Sequence, residues 1–134
     1  MKIGIVASEY NWDITMEMLE RAKDHAQFLG ADVVKVVRVP GVYDMPLGAK
    51  KLLSMKDIQG VVAIGAVIEG ETEHDQVIMT QTARKLMDLG CEFNKPIGLG
   101  ITGPGMTRLQ AEERISNAKD AVESVVKMIK NLEK

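Results

Sequence analysis

Two hydrophobic rhythms alternate along the chain. Short β-branched runs at Ile3–Ala7, Val33–Val39, Gly60–Ala66 and Pro96–Ile101 carry apolar residues at successive positions. Between and after them, apolar residues recur every three or four positions, which is helix spacing. Ile14, Met18, Ala22, Ala26 and Leu29 define a first helix, and Gly30 stands where a C-cap glycine belongs. The pattern predicts a second helix over Met45–Leu53, with Pro46 tolerated in its first turn. A third is expected from Glu73 to Glu92, opened by the capping-box-like Thr72-Glu73-His74-Asp75. The last opens on the capping box Thr107-Arg108-Leu109-Gln110 and continues through Ile115, Ala118, Val122, Val125, Ile129 and Leu132, at steps of 3, 4, 3, 4 and 3.

The order is therefore βαβαβαβα. Continuously apolar strands are buried on both faces, which predicts a four-stranded parallel sheet with helices on each side, a three-layer α/β/α sandwich. The crossovers are right-handed. No repeat, linker or low-complexity tract divides the chain, so residues 1–134 are expected to form one domain. The sheet has two open edges, and another subunit is expected to cover one of them. The 3-4 spacing of the last helix reads as packing on the sheet, with a coiled-coil-like seam as the alternative.

Composition narrows the class of protein. The chain has 134 residues, a formal net charge of −2, 46% hydrophobic and 27% charged residues. That balance suits a globular protein with its own core and argues against a bulk nucleic-acid binder, which carries a basic excess. The lone Cys91 excludes an internal disulfide framework and a multi-cysteine zinc site; at a helix end it reads as a partly buried, inert thiol. The apolar run at the N-terminus is too short for a signal peptide, and no stretch approaches the roughly 20 apolar residues that span a bilayer. The expectation is a soluble cytoplasmic protein.

In open α/β sheets, ligands sit at the carboxyl ends of the strands. Four segments follow the predicted strands: Ser8–Trp12, Pro40–Asp44, Val67–His74 and Thr102–Arg108. Both tyrosines, the only tryptophan, one of the two histidines and six of the twelve glycines fall in these segments or in the strand before the last, which favours a small-molecule site. In the third segment Gly70 lets backbone approach a ligand, and Glu71 and Thr72 precede a helix whose free N–H groups attract an anion such as phosphate. His74 reads either as a proton carrier or as a surface helix histidine. The helix N-terminus favours its neutral ring, whereas Glu69, Glu71 and Glu73 favour the imidazolium. His25, mid-helix, reads as structural. Arg108 and Arg114 are equal candidates for a phosphate partner. Tyr10 and Tyr43 suit stacking on a planar ring, or simple rim packing. Gly98-Leu99-Gly100-Ile101-Thr102-Gly103 matches G-x-G-x-x-G, but its first two glycines lie inside a strand and no further βαβ unit follows. It is read as close backbone packing and not as a dinucleotide site.

Taken together, these segments resemble the two signature regions of the lumazine synthases. Val39-Pro40-Gly41-Val42-Tyr43-Asp44-Met45-Pro46-Leu47 and Ala63 through His74 carry the likeness, with Glu9-Tyr10-Asn11 and Gln110-Ala111-Glu112-Glu113-Arg114 matching the first and last site segments. The archaeal branch is nearest, on Gly103-Pro104-Gly105-Met106-Thr107-Arg108 and the short N-terminus. The resemblance implies a flavodoxin-like strand order 2-1-3-4. It also implies a transferase that condenses 5-amino-6-(D-ribitylamino)uracil with 3,4-dihydroxy-2-butanone 4-phosphate, giving 6,7-dimethyl-8-ribityllumazine, phosphate and water, the penultimate step of riboflavin biosynthesis. No cofactor and no metal are expected.

Carried over by position, Tyr10 stacks on the pyrimidine, Val42, Tyr43 and Asp44 flank the ribityl chain, and Ala66, Val67 and Ile68 line the ring edge. Leu99 forms a further wall. Glu71 and Thr72 offer backbone N–H groups to phosphate, Arg114 pairs with it, His74 shuttles protons, and Lys119 matches a supporting lysine. Three positions depart from the commonest family pattern: Tyr10 and Leu99 replace Phe, and Asp44 replaces Glu. The resemblance further implies two small-molecule substrates, no nucleic acid or membrane partner, and a homopentamer with each site shared between neighbours. In some members twelve pentamers build an icosahedral shell, which a short turn before Lys119 is read as permitting. The chain starts at its first strand, so the N-terminal strand that covers a neighbour's sheet edge in longer members is expected to be missing. The alternatives are a non-catalytic flavin- or lumazine-binding shell protein on the same fold and the related archaeal riboflavin synthase. The intact Gly70-Glu71-Thr72-Glu73-His74 argues against the latter.

Overall fold

The predicted rhythms become four strands and five helices in a computed structural model that describes residues 1–70 and 74–134. In chain order these are β1 (Lys2–Ser8), α1 (Trp12–Phe28), β2 (Asp32–Val39), α2 (Met45–Leu53), β3 (Gly60–Ile68), α3 (Asp75–Phe93), β4 (Ile97–Met106), α4 (Arg108–Glu113) and α5 (Asn117–Leu132), with a short 3-10 turn at Val42–Asp44. All strand pairs are parallel, and the order is β2-β1-β3-β4, as expected.

Strand alternation splits the core into two layers. Ile3, Ile5, Val62 and Ile64 face α1 and α5 through Ile14, Met18, Ala22, Ala118, Val122 and Val125. Val6, Val61 and Ala63 face the opposite layer, where Met45, Ala49, Leu52, Leu86 and Leu89 come from α2 and α3. The helix faces written at three- and four-residue spacing are therefore the buried faces.

Local chemistry sets the helix ends. Gly30 takes a positive φ of 80° after α1, where the N–H groups of Gly30 and Ala31 bond back to the carbonyls of Gln27 and Ala26 in a Schellman arrangement. Thr107 caps α4: its hydroxyl accepts from the Gln110 N–H at 3.3 Å, while the Gln110 side chain accepts from the Thr107 N–H at 3.0 Å. Lys95 donates from its ammonium to the carbonyls of Leu53 and Met55 at 2.9 and 3.0 Å, satisfying backbone at the C-terminal end of α2.

Several expectations are corrected. β2 is not buried on both faces; Val34, Lys35 and Arg38 are exposed, because the strand order makes β2 an edge. The last helix is not continuous. It divides at Arg114–Ser116, where 3-10-type bonds from Ile115 to Glu112 and from Asn117 to Arg114 replace the α pattern. β4 runs on to Met106, so Thr102–Met106 is strand and not loop; Met106 still pairs with Ile68, and its carbonyl accepts from the Glu69 N–H. α3 begins at Asp75 with His74 as its N-cap residue, and Thr72 and Glu73 of the expected capping box lie outside the described residues. Cys91 is exposed. His25 is structural, as read: its Nε2 lies 3.1 Å from Glu123 Oε1 across the α1–α5 contact, and its ring stacks on Phe28.

The strand glycines Gly98 and Gly100 face α5. A Cβ on Gly98 would stand 2.5 Å from the Ala121 carbonyl oxygen, and one on Gly100 would stand 3.2 Å from the Ala121 Cβ. The glycine motif thus serves close helix–sheet packing.

Candidate active site at the carboxyl end of the sheet

The segments after β1 and β2 converge on the end of β3, which runs on to Ile68, so Val67 and Ile68 are strand and not loop as expected. The first holds its shape through backbone: the Glu9 N–H bonds to the Val39 carbonyl at 2.8 Å and the Tyr10 N–H to the Pro40 carbonyl at 3.1 Å. Asn11 then turns through a left-handed conformation, φ 59°, and its Nδ2 donates to the Ala66 carbonyl at 3.2 Å. Asparagine tolerates this backbone better than other residues with a Cβ. The second segment folds on itself through Asp44, whose Oδ2 accepts from the Gly41 N–H at 3.1 Å. Thr82 of α3 donates its hydroxyl to the Val42 carbonyl at 3.4 Å and fixes this turn from below.

Between them lies a cavity of about 280 Å³ lined by Tyr10, Gly41, Val42, Tyr43, Ala66, Val67, Asp75 and Ile78. Its walls are mainly apolar, and its size is near the lower end for a small-molecule site. Tyr10 and Tyr43 line it with 56% and 76% of their surface exposed. A wider groove of about 600 Å³ between β2 and α2, with Val37, Val39 and Leu47 on its walls, holds Asp44 but no other predicted site residue.

Five predicted residues, Tyr10, Val42, Tyr43, Ala66 and Val67, meet in the smaller cavity. Ile68 does not. It shares the α1–α5 layer with Ala66 but lies two residues further along the strand, where it is buried. Asp44 is adjacent, with one carboxylate oxygen on Gly41. His74 caps α3, and its carbonyl accepts from the Ile78 N–H at 2.8 Å, so its exposed side chain stands one residue before the cavity-lining Asp75. Glu71 and Thr72 lie outside the described residues.

Leu99, Arg114 and Lys119 stay apart from the cavity within one chain. Leu99 pairs with Ala63, three residues or about 10 Å before Ala66 along the strand direction, and is 51% exposed on the β4 edge. Arg114 is exposed after α4, with an N–H 4.0 Å from Met106 Sδ. Lys119 is exposed in the first turn of α5.

Three lining residues escaped the sequence reading. Gly41 sat unremarked between Pro40 and Val42. Asp75 and Ile78 are spaced i, i+3 in the first turn of α3, the spacing that places two residues on one helix face. Among the described residues no cluster of His, Cys, Asp and Glu could hold a metal ion, and no helix is long and apolar enough to cross a membrane.

Comparison with known proteins bears on the same arrangement. The family model described as 6,7-dimethyl-8-ribityllumazine synthase matches residues 1–133. The 6,7-dimethyl-8-ribityllumazine synthase of Picrophilus torridus is 61% identical over 132 residues, covering 98% of this chain and 97% of that protein. Its namesake from Methanosarcina mazei is 55% identical, covering 98% of each chain. That from Methanothermobacter thermautotrophicus is 53% identical, covering 98% of this chain and 95% of the other.

Proposed function

The chain belongs to the 6,7-dimethyl-8-ribityllumazine synthase family and is a transferase of riboflavin biosynthesis; from this premise we propose how its residues divide the work. The reaction condenses 5-amino-6-(D-ribitylamino)uracil with 3,4-dihydroxy-2-butanone 4-phosphate. The primary amine attacks the ketone and an imine forms with loss of water. Phosphate leaves, and the ribitylamino nitrogen closes the second ring with loss of water, giving 6,7-dimethyl-8-ribityllumazine. Amine and ketone are reactive in themselves, so the protein's main contribution is to hold them in register.

One observation carries the assignment of the pyrimidine: Tyr10 after β1, Val42 with Tyr43 after β2, and Ala66 with Val67 at the end of β3 line one mainly apolar cavity. Tyr10 covers the face of the ring. Backbone at Ala66 and Val67 meets its edge. Tyr43 and Asp44 follow the ribityl chain, with the second Asp44 oxygen accepting from its hydroxyls. Ile68 supports this wall from further along β3. Phosphate sits near the start of α3, with Glu71 and Thr72 offering backbone N–H groups, and His74 moves protons between the reacting nitrogen and oxygen atoms.

Arg114, Leu99 and Lys119 act on a neighbour's cavity. Support comes from their exposure and from their standing outside the lining of their own chain's cavity. The large apolar side chains left in solvent, Leu47, Val77, Met87 and Leu109 among them, supply the interface. The assembly is a homopentamer open to further closure into an icosahedral shell, and the enzyme works in the cytoplasm.

The deciding experiment is the initial rate of 6,7-dimethyl-8-ribityllumazine formation by purified protein, set against an enzyme-free blank because the substrates also react unaided. A rate well above the blank is expected. A rate equal to it, from folded and assembled protein, overturns the assignment.

A further inference from the structure

Only the backbone N–H of Tyr10 is tied down, to the Pro40 carbonyl; its side chain makes no hydrogen bond and no ring contact among the described residues, and more than half of the residue is exposed. A half-exposed aromatic in a loop loses rotamer freedom when a ligand covers it, and that loss weakens binding unless the loop is held beforehand. Besides the backbone bonds of this loop, one side chain grips residues on both sides of Tyr10. Arg38, near the end of the edge strand β2, places Nη2 3.1 Å from Glu9 Oε2. The same guanidinium lies over the Trp12 ring, with Cζ 3.8 Å from the centroid. Glu9 directly precedes Tyr10, and Trp12 is two residues beyond it at the start of α1.

We propose that Arg38 is a positioning residue for the pyrimidine: by gripping Glu9 and Trp12 at once it presets the loop that aims the Tyr10 ring. The inference rests on the assignment of Tyr10 as the stacking residue. Arginine suits the task because its planar, permanently charged fork can meet a carboxylate through its edge while its face lies on an aromatic ring; lysine offers a point charge without a plane. Position suits it too. Ala7 pairs with Arg38 and Ser8 with Val39, so the side chain stands level with the last turns of β1 and reaches its loop without crossing the core. Arg38 is an exposed edge residue and belongs to neither buried layer itself.

The test measures both KM values and kcat for Arg38→Met, Arg38→Lys, Tyr10→Ala and the double variant Arg38→Met/Tyr10→Ala. Emission from Trp12, the only tryptophan, is recorded in parallel. Arg38→Met is expected to raise the pyrimidine KM about three- to tenfold, the scale of one exposed ion pair with one cation–π contact. The KM for the butanone phosphate and kcat should stay within about twofold, because the stack acts on ground and transition states alike. Arg38→Lys should recover part of the loss, Trp12 emission should shift in both variants, and Arg38→Met should add nothing once Tyr10 is absent. If Tyr10→Ala raises the pyrimidine KM while both Arg38 variants leave it unchanged, the positioning role is overturned and the stacking role stands. If Tyr10→Ala leaves that KM unchanged, the assignment of Tyr10 fails and the inference falls with it. A rise in both KM values together, or an Arg38→Met effect that persists undiminished in the Tyr10→Ala background, also overturns it.

Discussion

Arg108 at the start of α4 forms an ion pair with Asp13 in the first turn of α1, and its Nε lies 3.4 Å from Glu112 Oε1. Two carboxylates thus occupy the arginine that the sequence ranked level with Arg114. Among the described residues Arg114 meets no carboxylate. Arg114→Ala is expected to raise the KM for the butanone phosphate about ten- to hundredfold, the loss of a charge-assisted hydrogen-bond pair, with the pyrimidine KM little changed. Arg108→Ala should alter neither KM and should cost at most about 1 kcal/mol of stability, as exposed pairs do. Steady-state kinetics with each substrate varied in turn separate the two arginines.

His74 is the N-cap residue of α3, one position before the cavity-lining Asp75, and the proposed function makes it the proton carrier. His74→Ala should lower kcat about ten- to hundredfold, at or below the lower end of general acid–base catalysis, because positioning carries most of the acceleration. Both KM values should hold. Loss of binding together with complete loss of turnover would assign His74 a different task.

Gly98 sets the distance between β4 and α5. Gly98→Ala puts a methyl group 2.5 Å from the Ala121 carbonyl oxygen and 2.8 Å from a Val125 methyl. The obstacle on one side is backbone, so α5 must move as a unit. A loss of about 1–3 kcal/mol is expected, read as a fall in the denaturation midpoint.

Lys95 closes α2 from the far end of the sheet. Lys95→Met keeps the stem and removes two charge-assisted bonds to the carbonyls of Leu53 and Met55. Stability should fall by about 1–3 kcal/mol, while turnover at low temperature stays near that of the unaltered protein, since the change lies at the amino ends of the strands. A selective rise in either KM would count against this separation of roles.

Strands and helices were legible where one pattern had one meaning. Ile14, Met18, Ala22 and Ala26 can share a buried face only as a helix, and they do. Val33–Val39 had two meanings, because β-branched residues suit an edge strand as well as a central one. Strand order decides between them, and that depends on crossovers far away in sequence. The break at Arg114–Ser116 left no trace because no glycine or proline marks it. The turn also advances the chain by threes, through bonds from Ile115 to Glu112 and Ala118 to Ile115, so the 3-4 rhythm passes through it undisturbed. Thr102–Met106 misled in the opposite sense: Gly103, Pro104 and Gly105 have the composition of a turn yet continue a strand that β3 still pairs.

The cavity was legible in part for similar reasons. Tyr10 and Tyr43 stood out because aromatic residues and glycines gather after strands, whereas Val42, Ala66 and Val67 came only with the family resemblance. Ile68 was drawn in with Ala66 and Val67 as one run, although it lies beyond them on the strand and is buried in the α1–α5 layer. Asp75 and Ile78 were passed over because the helix start was read for its anion-binding backbone and not for the face it turns inward.

The three-residue joint between α4 and α5 divides the end of the chain into two cassettes. α5 is anchored through Ala118, Val122 and Val125 to the sheet, and its sequence answers to the core. α4 adds the buried Ala111 to the same core and is otherwise fastened by its cap at Thr107 and the ion pair at Asp13. The joint buries Ile115 but leaves Arg114 exposed, so a change at Arg114 need not disturb a buried side chain of α5. The arginine can therefore be exchanged, by evolution or by an engineer, while the folding unit beneath it stays as it is.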